Sequence, residues 1–203
     1  MTLPGRALRR YLRRVVRSTS ETAGSIGAPV AACGSHSPPI ASAVIVGLGN
    51  EIAGDDGVGI HVARVLQHRL KASSEVDVVA LPWAGLALLD ILRGRTRAAI
   101  VDCLTTGDHP AGTVLRLDER KLAGSVRLNS FHDISFPTAM NLGRQMGWHM
   151  PDDVAIWGVE AESIGVFHEG LSPAVTAAVE PLIDEVLVFI SQATRLLDTR
   201  GVI

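Results

Sequence analysis

Five short apolar runs alternate with stretches of helical spacing, and that order constrains this 203-residue chain more than any other feature. The runs are AVIVGLG (43–49), VDVVAL (76–81), AAIVDCL (98–104), TVLRL (113–117) and VAIWGVE (154–160). Between the first two, Asp56 to Leu70 carries Val58, Val62, Val65 and Leu66 at helical spacing. Further helices are expected from about Gly85 to Arg93 and from Phe131 to Met146. Ser172-Pro173 has the form of an N-cap followed by proline at the first helical position, opening a long C-terminal helix that Pro181 is placed to kink. Alternation of this kind predicts an α/β single domain: a three-layer, mostly parallel twisted sheet with helices on both faces. TVLRL is assigned to an antiparallel or edge position.

Composition narrows the function. Apolar residues make up 47% and charged residues 20%, as in an ordinary globular domain. Residues 1 to 42 hold six Arg and one Glu, which leaves 13 basic and 20 acidic side chains for the rest. An acidic body argues against a nucleic-acid partner. Residues 18 to 42 are rich in Ser, Ala, Gly and Pro without periodicity, so 1–42 is expected to be an Arg-rich, disordered extension and linker, with the folded domain at 43–200. No apolar stretch of roughly 7 to 15 residues follows RALRRYLRRVVR, and no run approaches the roughly 20 apolar residues of a membrane span. The expectation is a cytoplasmic chain without membrane contact. Cys33 and Cys103 are too few for a disulfide framework or a thiolate metal cage.

The first run ends in GLGNEIAGDDGVG (47–59). A dinucleotide-binding turn needs G-x-G-x-x-G, and Ile52 stands at the third glycine position. Glu51, Asp55 and Asp56 would also repel a phosphate ligand. Carboxylates at the carboxyl end of a central strand suit a cation, because open α/β sheets bind ligands at that edge. Asp102 closes the third run and emerges at the same edge, and His132, opening the next helix, is the best-placed histidine to join them. Two carboxylates, one imidazole and water suit a divalent ion such as Ni²⁺ or Zn²⁺. Each residue also has a plainer role: a helix cap for Asp56, a loop acceptor for Asp102, a structural histidine for His132. Glu51 and Asp55 read as solvated loop charges. Cys103 is assigned to the core, because side chains alternate along a strand and place it opposite Asp102. His61 and His68 read as exposed helix positions.

The segments GLGNEIAGDDGVG, IVDCL, FHDISFPTAMNLG and WGVEAESIGVFHEGLSPAVTAAVEPLIDEV, in this order over roughly residues 43 to 190, resemble the hydrogenase maturation proteases. Those endopeptidases cut a short C-terminal peptide from the precursor of the [NiFe]-hydrogenase large subunit. The resemblance implies that precursor as partner. It also implies that Asp56, Asp102 and His132 are the catalytic and metal-binding residues, meeting Ni²⁺ carried by the substrate, with Zn²⁺ or Cd²⁺ able to take its place. The chain is expected to act as a monomer. Some members carry an Asp-Gly-Gly-Thr-x-Gly loop after the second strand, where this chain has ALPWAG (80–85), keeping only the last Gly. Two alternatives stand beside this reading. A nickel-binding chaperone or checkpoint would grip the precursor through the same residues without cutting it. A peptidyl-tRNA hydrolase also opens with Gly-Leu-Gly-Asn, but its Pro-Gly continuation and basic groove are missing here.

Overall fold

The computed structural model describes residues 42–71, 73, 75–82, 84–117, 136–162 and 169–198. The expected extension at 1–42 therefore lies, but for Ser42, outside the described residues. All five apolar runs are strands: β1 (Ala43–Leu48), β2 (Val76–Leu81), β3 (Arg97–Leu104), β4 (Val114–Leu117) and β5 (Asp153–Glu160). The helices are α1 (Val58–Arg69), α2 (Gly85–Leu92), α3 (Phe136–Gln145) and α4 (Pro173–Asp198). The first five residues of the helix expected from Phe131 are outside the described residues.

One sheet forms in the order β2-β1-β3-β5-β4. β1 pairs in parallel with β2 and β3, β3 pairs in parallel with β5, and only β4 runs antiparallel, at the edge. β1 is buried along its whole length, as is β3 but for its first residue, so an unbroken apolar run rather than an alternating one marks these central strands. Val44, Val46, Ala98 and Ile100 pack under α2 and α3 with Leu88, Leu92, Phe136 and Met140. Ile45, Ala99, Val101 and Cys103 pack under α1 and α4 with Val62, Leu66, Leu182 and Ile183. These are the two helical layers expected.

Ser172 Oγ accepts the Val175 N–H at 3.4 Å and its carbonyl the Thr176 N–H at 2.8 Å, so the Ser-Pro start of α4 behaves as its residue types require. Pro181 lies inside α4 at an exposed position. The edge strand is secured by an aromatic stack. The Arg116 guanidinium on β4 lies 4.1 Å from the Trp157 ring centroid and 4.9 Å from that of Phe189 on α4. Trp157 Nε1–H donates to Glu185 at 2.9 Å. Burial holds the Arg116 guanidinium below its ordinary pKa, opposed by the charges of Asp153 and Glu185.

Candidate active site

Strand order decides where a ligand can sit. From β1 the chain steps outward to β2 under α1, then returns past β1 to β3 under α2 on the opposite face. The connections thus part between β1 and β3, and such a switch point opens a crevice at the carboxyl ends of the strands. β1 pairs with β3 only as far as Gly47 with Val101. Asp102 is the next residue, paired with Gly158 on β5 alone. Its side chain shares a face with those of Ile100 and Leu104, so it points to the α2/α3 face, and it is fully buried. Cys103 points to the opposite face and is core, as expected.

The glycine turn is built for close approach of backbone to backbone. Gly54–Gly57 forms one 3-10 turn before α1, and the loop from Asn50 into it is closed by the Asn50 N–H donating to the Asp56 carbonyl at 3.1 Å. A Cβ on Gly59 would lie 2.2 Å from the Leu48 carbonyl oxygen and 2.4 Å from that of Val101. A Cβ on Gly47 would lie 1.8 Å from the Gly59 carbonyl oxygen. The glycines therefore seat the first turn of α1 directly on β1 and β3 beside Asp102, and the 3-10 turn packs against β3. Asp56 is carried on that turn and is 7% exposed. The N-cap of α1 is Gly57, so Asp56 precedes the cap position and the plainer capping role does not hold.

Asp55 requires a correction. It is not a solvated loop charge: it is only 2% exposed. One carboxylate oxygen accepts the Ser172 N–H at 2.6 Å and the other accepts the Glu162 N–H at 2.9 Å. Glu51, in contrast, is exposed and paired with Arg64, also exposed, as a loop charge should be. His61, His68, His109 and His149 are all exposed. His132, His168 and Trp83 lie outside the described residues. Among the described residues, no group of three His, Cys, Asp or Glu side chains converges in the manner of a metal cage. The described part of the candidate site is the pair Asp56 and Asp102.

Sequence reasoning also missed Glu160, the last residue of β5, which is 2% exposed. Its carboxylate accepts the Thr106 Oγ1–H and the Gly107 N–H, both at 2.7 Å, and so holds down the loop that leaves β3 after Asp102. A buried acid with two donors is ill served by an amide, which turns N–H toward one of them. Glu160→Gln should therefore cost about 2 kcal/mol, read as a melting temperature lower by roughly 4 to 8 °C in calorimetry. An unchanged melting temperature would show that the loop holds without it. The signal available was the glutamate ending the apolar run that starts at Val154, at the same carboxyl side of the sheet as Asp102.

Comparison with known proteins agrees with this geometry. The family model described as hydrogenase maturation protease matches residues 60–188. The hydrogenase 2 maturation protease of Escherichia coli is 28% identical over 145 residues, covering 71% of this chain and 87% of that protein. The hydrogenase expression/formation protein HoxM of Cupriavidus necator is 26% identical, covering 70% of each. Among solved structures, the hydrogenase maturating endopeptidase HybD from Escherichia coli superposes with a TM-score of 0.59 at 24% identity, over 74% of this chain and 93% of that one. With its fold, its switch-point carboxylates and this match over more than half its length, the chain belongs to the hydrogenase maturation protease family, a family of peptide-bond hydrolases.

Proposed function

We propose that this chain is the endopeptidase that removes the C-terminal peptide from the nickel-loaded precursor of a [NiFe]-hydrogenase large subunit, and that Asp56, Asp102 and His132 recognise the ion. The observation that supports this most is the buried Asp102 at the first position where β3 runs past its pairing with β1, with the Asp56 turn packed against the same strand. Two carboxylates and one imidazole do not fill the coordination shell of a resident structural metal. They suit an ion that arrives already held by its own protein and needs only a few more donors, so nickel here is part of the substrate. The ion then sets the position of the scissile peptide, and hydrolysis needs either the ion to polarise its carbonyl or a carboxylate to take a proton from water. Among the described residues no helix is long and apolar enough to cross a membrane. Action in the cytoplasm as a monomer is part of the proposal.

Purified protein mixed with nickel-loaded precursor should release one C-terminal peptide, seen as a single mass loss from the precursor, while nickel-free precursor stays intact. A stable complex with uncut precursor would instead establish the checkpoint reading.

A further inference from the structure

We infer that Asp55 is a positioning residue: it fixes Asp56 in the crevice by tying the 3-10 turn to both ends of the β5–α4 connection. This rests on the proposed role of Asp56. A 3-10 turn rotates consecutive side chains by about 120°, so Asp55 and Asp56 leave the turn in different directions and cannot share one task. Asp55 is spent on two backbone amides, Glu162 just after β5 and Ser172 at the cap of α4. These amides are ten positions apart in the chain, yet they meet on one carboxylate. The Ser172 N–H also belongs to the residue capping α4, where a negative charge is favoured by the helix dipole.

All four residues of the turn are buried and pack against β3 and α1, and Asp55 adds side-chain hydrogen bonds to that packing. Neither the 3-10 turn nor α1 has a side-chain cap hydrogen bond, and the backbone bonds that close the turn, Asn50 N–H to Asp56 and Asp56 N–H to Ala53, measure 3.1 and 3.4 Å. Gly54 supplies the φ of +62° that the chain needs just before Asp55. Asp55 supplies the rigid attachment, and its peptide bond runs directly into Asp56. Residues that orient a metal-binding side chain change affinity or activity by roughly 10 to 100-fold when lost.

The test uses Asp55→Asn, which keeps one acceptor and turns an amide N–H toward the other donor. Glu162→Pro is the second variant: it removes one donor and leaves the Asp55 carboxylate in place. Circular dichroism and melting establish that each is folded at the assay temperature. kcat and KM are then measured on nickel-loaded precursor, and amide hydrogen exchange is read at Asn50 and Asp56. The expected result is a roughly 10 to 100-fold loss in kcat/KM by folded protein, with exchange at Asn50 and Asp56 at least about tenfold faster and exchange in the middle of α1 unchanged. Wild-type kcat/KM per folded molecule would overturn the inference and leave Asp55 a structural latch only, as would failure of both variants to fold. If Asp55→Asn were inactive while Asp56→Ala cleaved normally, the assignment of Asp56 would fall instead. If wild type itself left the precursor uncut, the exchange data would still report whether Asp55 holds the turn.

Discussion

Alanine at Asp56, Asp102 or His132 should each abolish processing of nickel-loaded precursor, a loss of at least about 100-fold, because removing a direct donor exceeds the roughly 10 to 100-fold effect of losing its supports. The three act on one ion, so double variants should be scarcely slower than single ones. Asp102 is fully buried, and truncating it also changes packing. Asp102→Asn preserves the shape and should be as inactive. Glu51→Gln serves as control, since Glu51 sits on the same loop but is exposed and paired with Arg64, and His168→Ala is the second control. Processing is read by mass spectrometry of the precursor. Should His132→Ala cleave at near the wild-type rate while His168→Ala does not, the third donor belongs to the connection before α4.

Gly59→Ala should be severely destabilising for a single added methyl group. The added carbon would meet the carbonyl oxygens of Leu48 and Val101 at 2.2 and 2.4 Å, and both belong to central strands that cannot yield without breaking ladder pairs. Overpacking against side chains costs about 1 to 3 kcal/mol, and against fixed backbone the upper end or more applies. A loss of at least about 3 kcal/mol predicts a melting temperature lower by roughly 6 to 12 °C. Gly170→Ala gives the contrast: its φ of +93° is unfavourable, but nothing lies within 4 Å of the added carbon. It should cost only about 1 to 2 kcal/mol. Equal melting temperatures for the two variants would mean that α1 can lift off the sheet without penalty.

The fold was legible because its signals are local and repeated. Each apolar run matched a strand to within a residue or two, and burial of β1 and β3 on both faces is what unbroken runs such as AVIVGL imply. The antiparallel or edge assignment of TVLRL also agrees with the position of β4. The placement of Asp56 and Asp102 at one sheet edge followed from strand ends alone. Asp55 and Glu160 were not legible, for one reason. Each is buried because backbone amides distant in sequence come to it, Glu162 and Ser172 in one case and Gly107 in the other. A carboxylate beside another on a glycine-rich loop looks solvated until those amides are placed. The turn's glycines read as unsuited to a phosphate, but the role the structure shows for them, contact between Gly47 and Gly59, depends on a packing distance that no spacing rule contains.

The strand order also governs how the chain can be built during synthesis. β1 emerges first yet occupies an interior position, and it acquires neighbours only when Val76 and then Arg97 have followed it. β3 in turn keeps an open side until Asp153–Glu160 arrives, because β4, though made earlier, reaches the sheet only through β5. Pairings this far apart in sequence make for slow folding. A nascent chain halted before Asp153 would present the bare edge of β3, with Asp102 on it, to any other unfolded chain nearby. The last strand to be made thus completes the sheet and closes its most aggregation-prone edge in one step.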